Sequence, residues 1–329
     1  MRSIEALGCW RGPLQALLAF ALACGWNASA EAAPLTLAIP DLAGYAPALI
    51  AEAAGYFSAE GLDLRILHCI NGKRCLQHLA DGEAQLAATA ETPIMFATHA
   101  GKVFDIVATM GTTTRDVALV ARSDRGISSA GDLKGKRIGF VRGTSSHFFT
   151  DTYLLFHGID RASVTLVPLD IAESAEHLAR GDVDAAGMWQ PYVAHARALL
   201  GDRGLTLPSP RLFTLSSNLV SQPGVGDADL GKILRAMRRA VALIDAQPHR
   251  AQAVLAIRLK VEPETLNGLF EMYDFKLTLS QSLLATLEAE SRWAQRSGLV
   301  PAGSPPDYLE RFHPGPLRAL DRRAVTVSQ

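Results

Sequence analysis

An alternation of short apolar segments with helical segments, repeated along the chain, constrains the fold most strongly. Four segments of strand length alternate with helices between residues 35 and 110, and the alternation recurs between residues 117 and 200. Strands separated by helices predict a largely parallel sheet in an α/β protein. After Asn218, amphipathic helices follow one another without strands. These predicted helices are 230–245, 251–259, 264–273 and 282–297. The sequence therefore predicts two βα units, with C-terminal helices and a docked tail wrapped around the first.

One strand-to-helix junction is the clearest candidate for a ligand site. Arg137–Val141 predicts a buried strand, Gly143 breaks it, and the hydroxyl residues Thr144, Ser145 and Ser146 offer the N-cap of an amphipathic helix. Such a junction directs unpaired backbone N–H groups and the positive end of the helix dipole to one point. We expect a site for an anion or an oxygen-rich ligand, with an ordinary capped helix as the alternative. The glycine pattern matches neither a P-loop nor a dinucleotide fingerprint.

Composition narrows the classes of partner. The 329 residues suit one large domain or two lobes, and the formal net charge is −1. The sequence contains no basic run interleaved with aromatic residues, which argues against nucleic acid as a partner.

Residues 1–30 have the pattern of an export signal. The apolar segment 13–24 is shorter than the roughly 20 residues that span a bilayer, and Ala28 and Ala30 supply a small-x-small cleavage pattern. We therefore predict a periplasmic protein. The segment 21–24 also resembles a lipoprotein box, so a lipid anchor at Cys24 is the alternative.

Export changes the reading of the cysteines, because Cys69 and Cys75 remain after the signal is removed. Two cysteines this close in an oxidising compartment predict a local disulfide, with two free thiols as the alternative. A zinc or haem site would need a CxxC partner, and the sequence contains none. We expect no metal and no cofactor.

Five segments follow one another along the chain in an order that is typical of one family. They are EAAGYFSAEGLDLRI (52–66), LADGEAQLAATAETPIMFATHAGK (79–102), DLKGKRIGFVRGTSSHFF (132–149), LARGDVDAAGMWQPY (178–192) and PDYLERF (306–312). In this order they resemble the solute-binding proteins of nitrate/sulfonate/taurine ABC importers, a group related to the thiamine-pyrimidine binding proteins. Their order, more than any single motif, carries the resemblance.

The resemblance implies a type II periplasmic-binding-protein fold, in which two α/β lobes joined by a two-crossing hinge close on a ligand. Lobe 1 would comprise 34–116 and 219–329, and lobe 2 would comprise 117–218. It further implies a monomer that is not an enzyme, binds a small molecule and meets an ABC permease through its lobe surfaces.

Candidate ligand contacts are the residues at strand ends, where ligands bind in open α/β sheets. In lobe 1 they are Gly44, Tyr45, Asn71, Glu91 and Thr92, with Thr113 and Arg115 near the first crossing. In lobe 2 they are Arg142, Thr144, Ser145, Ser146, His147, Trp189 and Gln190. Trp189 suits a stacking wall. Each of these residues has a structural alternative as core, cap or solvated surface.

Two departures from the family leave the ligand class open. Gln190 is neutral where many relatives carry an acid after the tryptophan. A buried Glu91 would disfavour a small anion unless Arg115 or Arg142 compensates. An oxyanion, a zwitterion such as an amino-sulfonate, and a heteroaromatic base therefore all remain candidates.

Two other functions remain open, because fold does not fix function. One is an enzyme of the desulfinase or pyrimidine-precursor synthase type, for which Cys69 and His147 are the candidate reactive residues. The other is a ligand sensor that presents its closed form to a signalling receptor.

Overall fold

Eleven strands form two separate sheets in residues 34–328, the part of the chain that the computed structural model describes. The strands are β1 (Leu35–Pro40), β2 (Leu64–Cys69), β3 (Leu86–Ala90), β4 (Asp105–Thr113), β5 (Val117–Arg122), β6 (Arg137–Phe140), β7 (Thr165–Pro168), β8 (Ala185–Trp189), β9 (Gly204–Thr206), β10 (Leu215–Ser221) and β11 (Tyr273–Asp274). The first sheet has the order β11-β4-β10-β3-β1-β2, and the second has the order β7-β6-β8-β5-β9.

In each sheet one strand runs against the others: β10 in the first sheet and β5 in the second. The chain reaches each of these strands directly from the other sheet. The short β11, at the edge of the first sheet, is also antiparallel to its neighbour β4. β10 is antiparallel to β3 and β4, and β5 is antiparallel to β8 and β9. β1 is parallel to β2 and β3, and β6 is parallel to β7 and β8. The parallel strands of a sheet therefore present their carboxyl ends at one edge, which is where ligands bind in this class of sheet.

The chain passes between the sheets twice. It leaves the first sheet after Thr113 and enters the second at Val117, and it returns between Thr206 and Leu215. The two passages explain why β5 and β10 run against their neighbours. The lobe boundaries at 116 and 218 stay predictions, and β10 already belongs to the first sheet from Leu215 onward.

Helices cover the faces of both sheets. They are α1 (Ala46–Ala53), α2 (Tyr56–Ala59), α3 (Gly72–Ala80), α4 (Glu91–His99), α5 (Ser145–Phe156), α6 (Ser174–Arg180), α7 (Tyr192–Leu200), α8 (Asp227–Ala246), α9 (Pro248–Leu259), α10 (Glu264–Phe270), α11 (Gln281–Arg296) and α12 (Gly315–Leu320). Short 3-10 turns lie at Ala43–Tyr45, Ser123–Arg125, Ala130–Leu133, Arg161–Ser163, Ile171–Glu173, Gly201–Arg203, Leu309–Arg311 and Arg322–Ala324.

Two separate apolar cores correspond to the two sheets. Leu37, Leu49 and Ile106 belong to the first core, whereas Leu119 and Tyr153 belong to the second. The C-terminal tail docks on the first core through buried side chains, including Leu317, Ala324 and Val327. Apolar burial on this scale is the main source of stability in each lobe.

Gly55, a poor helix former, separates α1 from α2. Two expectations about local structure were wrong. The C-terminal helices are interrupted by β11. The strand β10 was missed because its centre reads Ser216-Ser217-Asn218, and these polar residues are nevertheless buried. Hydrogen bonds to neighbouring strands and helices make that burial tolerable.

The predicted export signal at 1–30 and the alternative lipid anchor at Cys24 lie outside the described residues. Among residues 34–328, no helix is long and apolar enough to cross a membrane.

Candidate functional site

A small cavity, here called the inner cavity, lies where the carboxyl ends of the two sheets face each other. Its volume is about 40 Å³. Its wall consists of Leu42, Gly44, Tyr45, Asn71, Gly72, Lys73, Ala90, Pro93, Asp116, Thr144, Ser145, Trp189, Gln190, Leu215, Ser217 and Tyr273. The structure thus brings together seven of the predicted site residues: Gly44, Tyr45, Asn71, Thr144, Ser145, Trp189 and Gln190.

The junction of β6 and α5 forms one wall, and its hydroxyl groups shape it. Gly143 has a φ of 72°, a conformation that favours glycine, and Thr144 follows as the N-cap. The Thr144 hydroxyl donates to the Val141 carbonyl (2.8 Å) and accepts from the Ser146 amide (3.3 Å). The Ser146 hydroxyl accepts from the Val141 amide (3.1 Å) and donates to Gly187 (2.7 Å).

These bonds bear on two expectations about the junction. Ser146 is fully buried and its hydroxyl is occupied, so it holds the junction together and does not line the cavity. The amides of Val141, Gly143 and Ser146 already donate to side chains of the same junction. The expectation of several free N–H donors therefore overstates what this turn offers an anion.

Asp116 supplies the acidic group of the inner cavity. It follows β4 at the first passage between the sheets and is buried. Burial raises its pKa to about 7, although hydrogen bonds from the Tyr273 hydroxyl and the Gln190 amide oppose that rise. The Asp116 Oδ1 atom has no hydrogen-bond partner among the described residues. A buried acceptor without a partner is costly, and a ligand donor at this point would relieve the cost.

Trp189 supplies an unpaired donor to the same cavity. It ends β8, is buried, and packs edge-on against Tyr192 with ring centroids 6.2 Å apart. Its Nε1–H group is buried and, within residues 34–328, has no acceptor. The inner cavity therefore combines an aromatic wall with one unpaired donor and one unpaired acceptor.

Tyr45 and Tyr273 close the cavity from the first lobe. A Cβ atom on Gly44 would lie 2.9 Å from the Tyr273 hydroxyl, so only glycine lets this ring approach the chain so closely. The Tyr273 ring stacks on Phe275 with centroids 5.3 Å apart. Burial raises the pKa of both tyrosines, so both hydroxyls stay protonated and can donate.

Glu91 and Thr92 lie behind the inner cavity and do not line it. Glu91 accepts hydrogen bonds from the Ser216 amide (2.6 Å) and hydroxyl (3.1 Å), and from the Ser145 hydroxyl (3.3 Å). Thr92 donates to Glu290 at 2.8 Å. Burial raises the pKa of both Glu91 and Glu290. Glu91 thus links β10 to α5 behind the cavity wall.

Arg115 does not compensate Glu91. Its guanidinium donates to the Glu271 carbonyl, and its amide donates to the Thr113 hydroxyl at 3.1 Å. Arg115 and Thr113 line a surface depression beside Tyr273 and are not part of the inner cavity.

A second and larger cavity, here called the outer cavity, adjoins the inner one. Its volume is about 330 Å³. The predicted residues Arg142 and His147 lie here, and Lys73 and Pro93 belong to both cavities. The full wall consists of Lys73, Leu76, Gln77, Ala80, Pro93, Phe96, Ala97, Ala100, Lys102, Arg142, Gly143, His147 and Leu299.

Cys69 and Cys75 form a disulfide with Cα atoms 5.6 Å apart. Cys69 ends β2, and Cys75 lies in the first turn of α3. This helix starts at Gly72 because the Asn71 side chain caps it by accepting a hydrogen bond from the Arg74 amide (2.9 Å). The crosslink therefore encloses Asn71, Gly72 and Lys73, which line the inner cavity. The predicted local disulfide thus joins the end of a strand to the first turn of a helix.

The two lobes touch in this structure. The Lys73 ammonium donates to the Arg142 carbonyl (2.9 Å), and the Trp293 indole donates to Asp151 (3.1 Å). Trp293 also packs edge-on against His147, with ring centroids 5.1 Å apart. The lobes are therefore in a closed arrangement around the inner cavity.

Comparison with known families now decides the relationship. The family model described as "NMT1/THI5 like" matches residues 43–251, more than half of the chain. The chain belongs to the NMT1/THI5-like family. The resemblance inferred from the five sequence segments is thereby confirmed.

Individual relatives agree with this assignment. A protein of Escherichia coli K12, provisionally named for the binding of aliphatic sulfonates, is 27% identical over 187 residues, which are 56% of this chain and 59% of that protein. A similarly named protein of Bacillus subtilis 168 is 26% identical over 179 residues, covering 51% of this chain and 54% of its own. The chain thus spans a little over half the length of these two curated relatives.

Solved structures confirm the fold. The alkanesulfonate-binding protein SsuA from Xanthomonas axonopodis pv. citri, bound to MOPS, aligns with a TM-score of 0.70 at 20% identity over 82% of this chain and 95% of its own. The desulfurization enzyme DSZB aligns with a TM-score of 0.64 at 17% identity over 88% of this chain and 99% of its own. The predicted two-lobe periplasmic-binding-protein fold is therefore confirmed, and both binding proteins and an enzyme share it.

Proposed function

We propose that this protein is the extracytoplasmic solute-binding component of an ABC importer and captures a small solute between its lobes. The main support is the inner cavity, whose wall comes from both sheets and holds an unpaired acceptor on Asp116 and an unpaired donor on Trp189. A solute that contacts both lobes stabilises the closed arrangement by its differential affinity, and hinge closure follows. The names of the sulfonate-binding relatives support the same function.

The unpaired acceptor of the wall favours a solute that carries a hydrogen-bond donor or a cation, while Lys73, whose ammonium donates to the Arg142 carbonyl, adds a positive charge that favours an anionic group on the same solute. Asp116 would accept from such a group, and Trp189 would donate to an acceptor on the same molecule. A cavity of about 40 Å³ suits a small polar group, since one water needs roughly 10–15 Å³. In hydrogen bonding, amino-sulfonates such as taurine and heteroaromatic bases match these groups better than nitrate or simple alkanesulfonates do.

The lobe bounds, the compartment, the oligomeric state and the partner are part of the same proposal. Lobe 1 would comprise 34–116 and 219–329, and lobe 2 would comprise 117–218. The protein would act as a periplasmic monomer after export and would present both lobe surfaces to an ABC permease. A signalling receptor in place of the permease would use the same closed form.

A thermal-shift screen tests the proposed site. Wild type and the variant Leu42→Trp are screened with taurine, alkanesulfonates, nitrate, bicarbonate and pyrimidines. Leu42 is a half-buried residue of the cavity wall, and a tryptophan at this position would fill the inner cavity. Wild type is expected to gain about 2.7 kcal/mol of stability at a ligand concentration 100-fold above the dissociation constant. Leu42→Trp is expected to gain nothing from taurine or a pyrimidine, the solutes that suit the inner cavity. The control is Leu155→Trp, because Leu155 is 75% exposed. Equal stabilisation of all three proteins would place the binding site elsewhere.

Thiol titration tests the enzyme alternative. DSZB shares the fold, and an enzyme of that type would need a reactive nucleophile in the cleft. In this structure Cys69 is bonded to Cys75 and lines neither cavity. Native protein that starts at residue 34 is expected to show no free thiol before reduction and two after reduction. Two titratable thiols in unreduced protein would remove the disulfide and restore the enzyme alternative.

A further inference from the structure

The outer cavity has the chemistry of an anion site. Three cationic side chains line it: Lys73 and Lys102 from the first lobe, and Arg142 from the second. Within the described part of the chain, its wall contains no acidic side chain. Like charges gathered around one space repel each other, and a bound anion would relieve that repulsion.

His147 adds a neutral donor to the wall of this cavity. Its Nδ1 atom accepts from the Gly143 amide at 3.4 Å, so in the neutral ring the proton resides on Nε2. Burial, followed by the nearby cations Arg161, Arg142 and Lys73, lowers the pKa of His147 to about 3, which keeps the ring neutral. The residue is 1% exposed, and Nε2 has no partner among residues 34–328. A buried donor that lines a cavity without an acceptor points to a ligand.

The rest of the wall is apolar. Leu76, Phe96 and Leu299 line it, and the volume of about 330 Å³ far exceeds what an inorganic ion needs. Pockets for small organic molecules have this composition, with a mostly apolar wall and a few polar groups that fix orientation.

We propose that the outer cavity binds an organic anion, a carboxylate, sulfonate or phosphate ester with an apolar body. The anionic group would meet Lys102, Arg142 and the His147 Nε2–H group, and the body would pack against Phe96 and Leu299. Because these residues come from both lobes, the anion would bridge them and stabilise the closed arrangement. This inference does not depend on which solute occupies the inner cavity.

Calorimetric titration with matched aromatic ligands tests the proposal. The anions p-toluenesulfonate and benzoate are compared with their neutral counterparts, p-toluenesulfonamide and benzamide. The anions are expected to bind at least about tenfold more tightly than the neutral molecules, since a hydrogen bond to a charged group contributes enough for such a factor. Equal affinity for charged and neutral ligands, or no binding of the anions at millimolar concentration, would overturn the proposal.

Variants locate the anion. Arg142→Gln and Lys102→Gln are each expected to weaken anion binding roughly tenfold, and His147→Phe is expected to weaken it by a similar factor while keeping the aromatic packing. The matched control is Lys134→Gln, because Lys134 is an exposed cation of the second lobe that lines neither cavity. Its affinity should stay within about twofold of wild type.

Leu42→Trp separates this site from the inner cavity. Anion binding is expected to persist in that variant even though the inner cavity is filled. If instead the anion is lost in Leu42→Trp and retained in Arg142→Gln, it occupies the inner cavity, and the outer site is refuted while the proposed solute-binding function stands.

Discussion

Replacing Asp116 with asparagine is expected to stabilise the ligand-free protein at pH 8 and to weaken solute binding. Burial raises the pKa of Asp116 to about 7 in the folded protein, from an ordinary value of 3.8. The folded state then holds a proton that the unfolded state has lost, so stability falls as pH rises from about 4 to about 7 and levels off above that. Removing the carboxylate should raise the free energy of unfolding by roughly 2–4 kcal/mol at pH 8 and should leave it unchanged below about pH 4.

Chemical denaturation at several pH values measures this effect. The control is Asp63→Asn, which alters an exposed carboxylate away from both cavities and should leave the pH dependence unchanged. A cationic or donor-bearing solute should bind wild type more tightly as pH rises through about 7, because Asp116 must be ionised to accept a hydrogen bond from that solute. An Asp116→Asn variant with the same pH dependence and the same solute affinity as wild type would show that this carboxyl is neither perturbed nor in contact with the solute.

The second large effect is expected at Trp189, where two substitutions separate packing from hydrogen bonding. Trp189→Ala removes a large side chain from the second core and should destabilise the protein by about 3–5 kcal/mol. Trp189→Phe keeps most of the aromatic wall but removes the unpaired Nε1–H group. It should change stability by less than about 1.5 kcal/mol, since it leaves no new buried polar group unpaired.

Solute binding gives the decisive comparison. Trp189→Phe is expected to weaken solute binding about tenfold, which corresponds to the loss of one hydrogen bond in a buried site. Calorimetric titration at constant pH measures the affinity, and denaturant unfolding measures the stability. Unchanged affinity in Trp189→Phe would mean that the indole donor does not meet the solute.

The main features of the fold were predictable because they depend on local pattern. Apolar strands alternating with helices indicated the parallel sheets, and the glycine and hydroxyl residues at 143–146 indicated the capped helix α5. The strand β10 was not predictable in this way, because its polar centre is satisfied by Glu91 and Thr109, which are far away in the sequence. Burial of polar residues depends on partners that periodicity does not reveal.

The candidate site was predictable only in part. Position at strand ends suggested Tyr45, Asn71 and Trp189, and all three line the inner cavity. Asp116 could have been found, since it immediately precedes β5 at a passage between lobes. Tyr273 could not, because it lies after three helices that the sequence gives no reason to bring near the cavity. That Arg115 lies outside the inner cavity was not predictable, because its guanidinium donates to the Glu271 carbonyl, a backbone contact that sequence reasoning does not foresee.

A crystal structure of the protein with the solute that stabilises it most in the screen tests the central claim most directly. We expect the solute between the two sheets, with a donor about 3 Å from Asp116 Oδ1 and an acceptor about 3 Å from Trp189 Nε1. A solute bound outside the inner cavity, or inside it with both of these atoms still unpaired, would contradict the proposed site and the solute class derived from it.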